Sequence, residues 1–124
     1  MSRHNDTGHW GEDIATEFLI TKGYDIVERN WRLHHLEIDI VARSGQRIMF
    51  VEVKTRSSRD NADPLTVITR KKLQNLCTCA HAYMKQYNLN FEVQFDIIII
   101  SGTPEDYELE FFPDAYFPPM KTYR

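Results

Sequence analysis

The sequence predicts an α/β fold: a central mixed β-sheet flanked by helices, in the order helix, strand, strand, strand, helix, strand, with one further edge strand. Three observations carry that expectation. Residues 9–22 and 73–87 have helical apolar periodicity, residues 24–31 and 36–55 read as strands, and Ile97–Ile100 is an unbroken apolar run. Alternation of these two periodicities builds a sheet with helices packed on its faces. A length of 124 residues suits one domain, expected to span 1–124 with its core at about 9–117.

Each element has its own warrant. In the first helix Ile14, Ala15, Phe18 and Leu19 form one stripe, and Gly23 follows as a stop. Tyr24–Trp31 reads as a strand. From Leu36 to Ala42 the residues alternate, with Leu36, Ile38 and Ile40 expected on one face and Glu37, Asp39 and Val41 on the other. A Ser44-Gly45 turn then leads to the strand Arg47–Thr55, so 36–55 reads as a hairpin. Residues 57–63 form a polar loop. Leu73, Leu76, Cys77, Ala80, Tyr83, Met84 and Tyr87 mark the second helix. The run at 97–100 implies a strand covered on both faces, and 107–112 an edge strand.

Composition narrows the class. Hydrophobic residues make up 42% and charged residues 27%, which argues against disorder. No apolar run reaches the roughly 18–20 residues of a membrane span, and Met1–Asp6 has no apolar stretch of the signal-peptide kind, so a cytoplasmic protein is expected. A net charge of −3 argues against a nucleic-acid partner only if the charge is evenly spread. It is not: residues 43–72 carry 8 basic and 3 acidic side chains, whereas 1–42 and 73–124 each sum to −4. A basic centre of this kind can attract phosphates locally despite the negative total.

The most informative string is Phe50-Val51-Glu52-Val53-Lys54. Glu52 and Lys54 share a face with Ile48 and Phe50, while Met49, Val51 and Val53 share the other. Charges at the end of an otherwise apolar strand require a partner, a metal or water. Asp39, on the preceding strand, can lie across from Glu52. Two carboxylates about 4 Å apart repel by about 1 kcal/mol in water and about 4 at an effective dielectric near 20. A hard divalent cation, Mg²⁺ or Mn²⁺, removes that repulsion. Glu12 falls at the edge of the first helix's apolar stripe, where it can lean over the sheet, and Lys72 falls at the edge of the second helix's stripe. A salt-bridged Glu52–Lys54 pair at a sheet edge accounts for the central string without any chemistry.

The strings Gly11-Glu12-Asp13, Gly23-Tyr24, Arg29-Asn30-x-Arg32, Glu37-Ile38-Asp39, Phe50-Val51-Glu52-Val53-Lys54-Thr55-Arg56, Thr69-x-x-Lys72, Phe95-Asp96 and Asp114-Ala115-Tyr116 resemble the YraN-like family of small bacterial proteins. That family is similar in fold and motif to the PD-(D/E)XK, restriction-endonuclease-like nucleases, notably the archaeal Holliday-junction resolvases. The resemblance implies a Mg²⁺- or Mn²⁺-dependent endonuclease acting on DNA, branched or damaged DNA included. It assigns Asp39, Glu52 and Lys54 as catalytic, with Asp39, Glu52 and the Val53 carbonyl holding the metal. Glu12 and Lys72 would support them, with Lys72 as a phosphate contact. In the basic segment Arg43, Arg56, Arg59, Arg70 and Lys72 are the candidate nucleic-acid contacts. Cutting two strands needs two sites, which makes a homodimer an expectation. The chain departs from the family pattern at Leu36, where Gly is usual, at Gln94, where Arg is usual, and in lacking a Phe-Gly ahead of Pro64. Ile38 also stands where the superfamily motif has Pro.

Two other readings accommodate the same residues: a non-cleaving nucleic-acid-binding protein of the same fold, and a protein-interaction module whose acidic cluster is structural. Cys77 and Cys79 are two apart on a helix and diverge, which makes them a poor zinc pair. Cys77 is expected in the core, His34-His35 in a surface loop, and Trp10 and Trp31 against the first helix.

Overall fold

A computed structural model describes residues 3–57, 59–60 and 63–115. Tyr116 and Phe117, with the Pro-containing tail, lie outside the described residues. The elements run α1 (Arg3–Thr21), β1 (Asp25–Leu33), β2 (Leu36–Ser44), β3 (Arg47–Arg56), α2 (Pro64–Val67), α3 (Arg70–Gln86), β4 (Glu92–Thr103) and β5 (Asp106–Phe112). The five strands form one sheet in the order β1-β2-β3-β4-β5. Only β3 and β4 are parallel, because the α2–α3 segment carries the chain back over the sheet between them. The expected mixed α/β sheet is therefore present. Helix α1 begins at Arg3, earlier than its apolar stripe suggests, and the short α2 follows the polar loop.

Local chemistry ends the helices where the sequence changes character. Gly23, at φ 93, closes α1 in a Schellman arrangement, with Gly23 N–H donating to the Ile20 carbonyl and Tyr24 N–H to that of Leu19. Thr69 caps α3, its hydroxyl oxygen accepting the Lys72 N–H at 3.1 Å. Asn88, at φ 51, ends α3 in the same way that Gly23 ends α1.

Each face of the sheet has its own core. On one, Ala15 and Leu19 of α1 meet Ile40, Ala42, Met49, Val51, Ile98 and Ile100. On the other, Leu76, Cys77, Cys79, Ala80 and Tyr83 of α3 meet Ile38, Val41, Ile48, Phe50 and Phe95. Ile97 and Ile99 pack with Ile68 and Leu73, so the isoleucine run is covered on both sides. Both cysteines are buried and reduced.

Two expectations about facing are corrected. Ile38 and Ile40 lie in opposite cores, and Val41 joins Ile38, so the alternation of β2 breaks at Asp39. Trp31 packs on α3 and not on α1, edge-on to Tyr83 with ring centroids 5.1 Å apart. Trp10, on α1, meets Tyr107 of β5. His34 and His35 form the exposed β1–β2 turn.

Candidate functional site

The β2–β3 ladder runs from Ser44↔Arg47 to Ile40↔Val51. Just past its end, the Asp39 side chain takes over the role of a strand partner: its Oδ2 accepts the Val53 N–H at 2.9 Å. The break in β2 thus directs a carboxylate to the end of β3 where Glu52, Val53 and Lys54 lie. Asp39 is 8% exposed and Glu52 4% exposed. Across from them, Lys72 of α3 places its Nζ 3.5 Å from Glu52 Oε2.

These carboxyls hold their protons unusually tightly. Burial is the main cause for both, pushing Asp39 up to about 7 and Glu52 up to about 8. The Val53 N–H pulls Asp39 the other way, while the Asp39 charge raises Glu52 further. Lys72 offsets part of the cost, and its own ammonium is strengthened chiefly by Glu52. Burial also raises Glu12, against the Asn30 amide and the Arg29 guanidinium, which favour its charged form.

One oxygen each of Glu12, Glu37 and Asp39 lies within 4.8 Å of the others. Three carboxylate oxygens this close are of the kind a hard divalent cation takes as ligands. Among the described residues, Glu12 Oε1 is buried without a hydrogen-bond partner, and Arg29 Nη2 lies 3.7 Å away. Converging carboxylates, raised proton affinity and an oxygen without a donor fit a divalent cation.

A cleft of about 380 Å³ opens onto this end of the sheet, lined by Asp39, Glu52, Val53, Lys54, Thr55 and residues 67–69 and 72. Lys54 is exposed on its wall. The structure therefore brings Asp39, Glu52, Val53, Lys54 and Lys72 together, with Glu12 adjoining Asp39. Arg70 begins α3 directly after Thr69 of the cleft and is exposed. The remaining arginines are held by partners of their own. Arg43 stacks on Phe91, 4.4 Å from the ring centroid, by the β2–β3 turn at the opposite end of β3 from Lys54. Arg56 donates to Ser101 Oγ and the Asp60 carbonyl. Arg59 pairs with Asp106 and Glu108 on the β4–β5 hairpin.

Two participants were missed as site residues. Glu37 joins the acids, and its signal was the two-residue spacing from Asp39 on a strand. Gly11 is the other: a Cβ there would collide with the Thr55 side chain, so glycine lets α1 dock on β3 one residue before Glu12.

A mixed sheet with helices on both faces and buried acids at one end defines a small α/β protein with a candidate cation site. The profile described as "Uncharacterised protein family UPF0102" matches residues 11–100, and the chain belongs to that family. It is 40% identical to the UPF0102 protein of Flavobacterium psychrophilum, over 94% of this chain and 98% of the relative. A Bacteroides fragilis UPF0102 protein is 38% identical, over 97% of this chain and 99% of its own. Another from Phocaeicola vulgatus is 35% identical over the same shares. Among the described residues, no helix is long and apolar enough to cross a membrane.

Proposed function

We propose that this protein is a divalent-metal-dependent endonuclease acting on DNA phosphodiesters, with branched or damaged DNA as the substrate class. The observation that supports this best is the burial of Asp39 and Glu52 beside a cleft that also carries an exposed lysine, Lys54. A purely structural Glu52–Lys54 pair is a poorer account, because Glu52 pairs with Lys72 and leaves Lys54 on the cleft wall.

Asp39, Glu52 and the Val53 carbonyl would hold Mg²⁺ or Mn²⁺, with Glu12 and Glu37 adjoining. A bound ion of this kind supplies Lewis-acid stabilisation of phosphate oxygens and lowers the pKa of water. The chain's own groups do the rest. Lys54 orients the attacking water and stabilises charge on the non-bridging oxygens. Lys72 and Arg70 grip flanking phosphates at the N-terminal end of α3, where the helix dipole also favours anions. Such contacts read backbone and shape, not base sequence.

The test is incubation with linear, single-stranded and four-way DNA, with and without Mg²⁺ or Mn²⁺, using the parent and Lys54→Ala. Metal-dependent cutting lost in Lys54→Ala supports the reading. Binding by both proteins with cutting by neither favours a non-cleaving binder, and no binding at any salt concentration favours an interaction module.

A further inference from the structure

Alternation in β1 breaks at Asn30. Trp31 and Leu33 pack into the core on the α3 face, and a regular strand would direct Arg29 there as well. Arg29 instead reaches α1, its Nη2 lying 2.8 Å from Asp13 Oδ1 and 3.7 Å from Glu12 Oε1. Asn30 has φ 56, a left-handed conformation that asparagine adopts more readily than most residues. Its side-chain amide favours the charged form of the Glu12 carboxyl. Two consecutive strand residues therefore converge on one helix acid. The pairs Arg29↔Ile40 and Trp31↔Ile38 leave Asn30 opposite Asp39, the residue at which β2 also breaks.

The acids alone would not stay together. Glu37 opposes ionisation of Glu12, and Glu12 and Glu37 both oppose that of Asp39. Fixing a long carboxylate side chain also costs rotamer entropy. Arg29, Asn30 and His9 are the groups that draw the Glu12 carboxylate in.

We propose that Arg29 and Asn30 are positioning residues, and that the left-handed kink in β1 holds the Glu12 carboxylate against Asp39. The role in cation binding rests on the metal-site reading above. It is tested with Asn30→Gly, which accommodates the left-handed backbone while deleting the amide, with Glu12→Gln, and with the double variant. Mn²⁺ affinity is measured by calorimetry at fixed pH. Asn30→Gly is expected to weaken binding by about 10-fold or more, and the double variant to bind no more weakly than Glu12→Gln alone. Arg29→Met should couple to Glu12→Gln in the same way. Unchanged affinity in Asn30→Gly, or losses that multiply in the double variant, would overturn the proposal. If the parent binds no Mn²⁺, the metal-site reading fails separately. Thermal melts of the same variants in metal-free buffer then decide the positioning: non-additive Tm shifts support it and additive shifts overturn it.

Discussion

The Val53 N–H donates to Asp39 Oδ2 at 2.9 Å, so a side chain of β2 occupies a position that a regular ladder would give to backbone. This bond anchors a buried carboxylate at the end of β3 and requires residue 39 to accept a hydrogen bond; the proposed cation site requires it also to carry a charge. Asparagine meets only the first. In metal-free buffer at about pH 8, Asp39→Asn should be more stable than the parent by about 0.5–2 kcal/mol, the common gain when a functional strain is relieved. Asp39→Ala, which leaves the Val53 N–H without its acceptor, should be less stable than Asp39→Asn. Chemical denaturation of the three proteins checks both.

The buried acids also fix a pH dependence. Asp39 and Glu52 bind protons more tightly in the folded chain than in the unfolded one. Their contribution to stability is full below the ordinary carboxylate range and is lost as pH rises through about 7 to 8. The metal-free protein should therefore show a falling Tm between about pH 5 and about pH 9. Mg²⁺ should restore stability at the alkaline end, by about 2.7 kcal/mol at 100 times its Kd. A flat Tm profile without metal would count against burial as the source of the shifts.

Gly11→Ala tests the seating of α1. The added methyl meets the Thr55 side chain, and overpacking of this kind costs about 1–3 kcal/mol. Because Glu12 follows directly, cation affinity should fall along with the midpoint of denaturation.

The scatter of the basic segment predicts unequal effects on DNA binding. Lys72→Ala removes a cation from the cleft and should weaken affinity, reducing the salt-dependence slope by about 1. Arg43→Ala removes a guanidinium stacked on Phe91 at the far end of β3 and should leave both unchanged. Titrations by fluorescence anisotropy at several salt concentrations separate the two.

Much of this arrangement was legible in the residues. Periodicity located α3 and the three central strands, and the isoleucine run announced a strand covered on both faces. Two-residue spacing put Glu52 and Lys54 on one face, and helical spacing put Glu12 and Lys72 at stripe edges, where the structure sets them beside the acids. Alternation failed at Asn30 and Asp39, because a left-handed residue in β1 and a side-chain partner for Val53 replaced regular pairing. Neither has a period to read. The basic segment does not read as one patch either: neighbours in sequence diverge in space, and Arg43, Arg56 and Arg59 each take partners of their own.

The proposed binding of a divalent cation by Asp39, Glu52 and their neighbours is tested most directly by calorimetric titration of Mn²⁺ into the parent and Asp39→Asn at about pH 8, where a cation competes with protons for the two carboxyls. Saturable binding by the parent, accompanied by proton release and absent from a folded Asp39→Asn, is the predicted result. No binding by the parent, or equal binding by the variant, would contradict it.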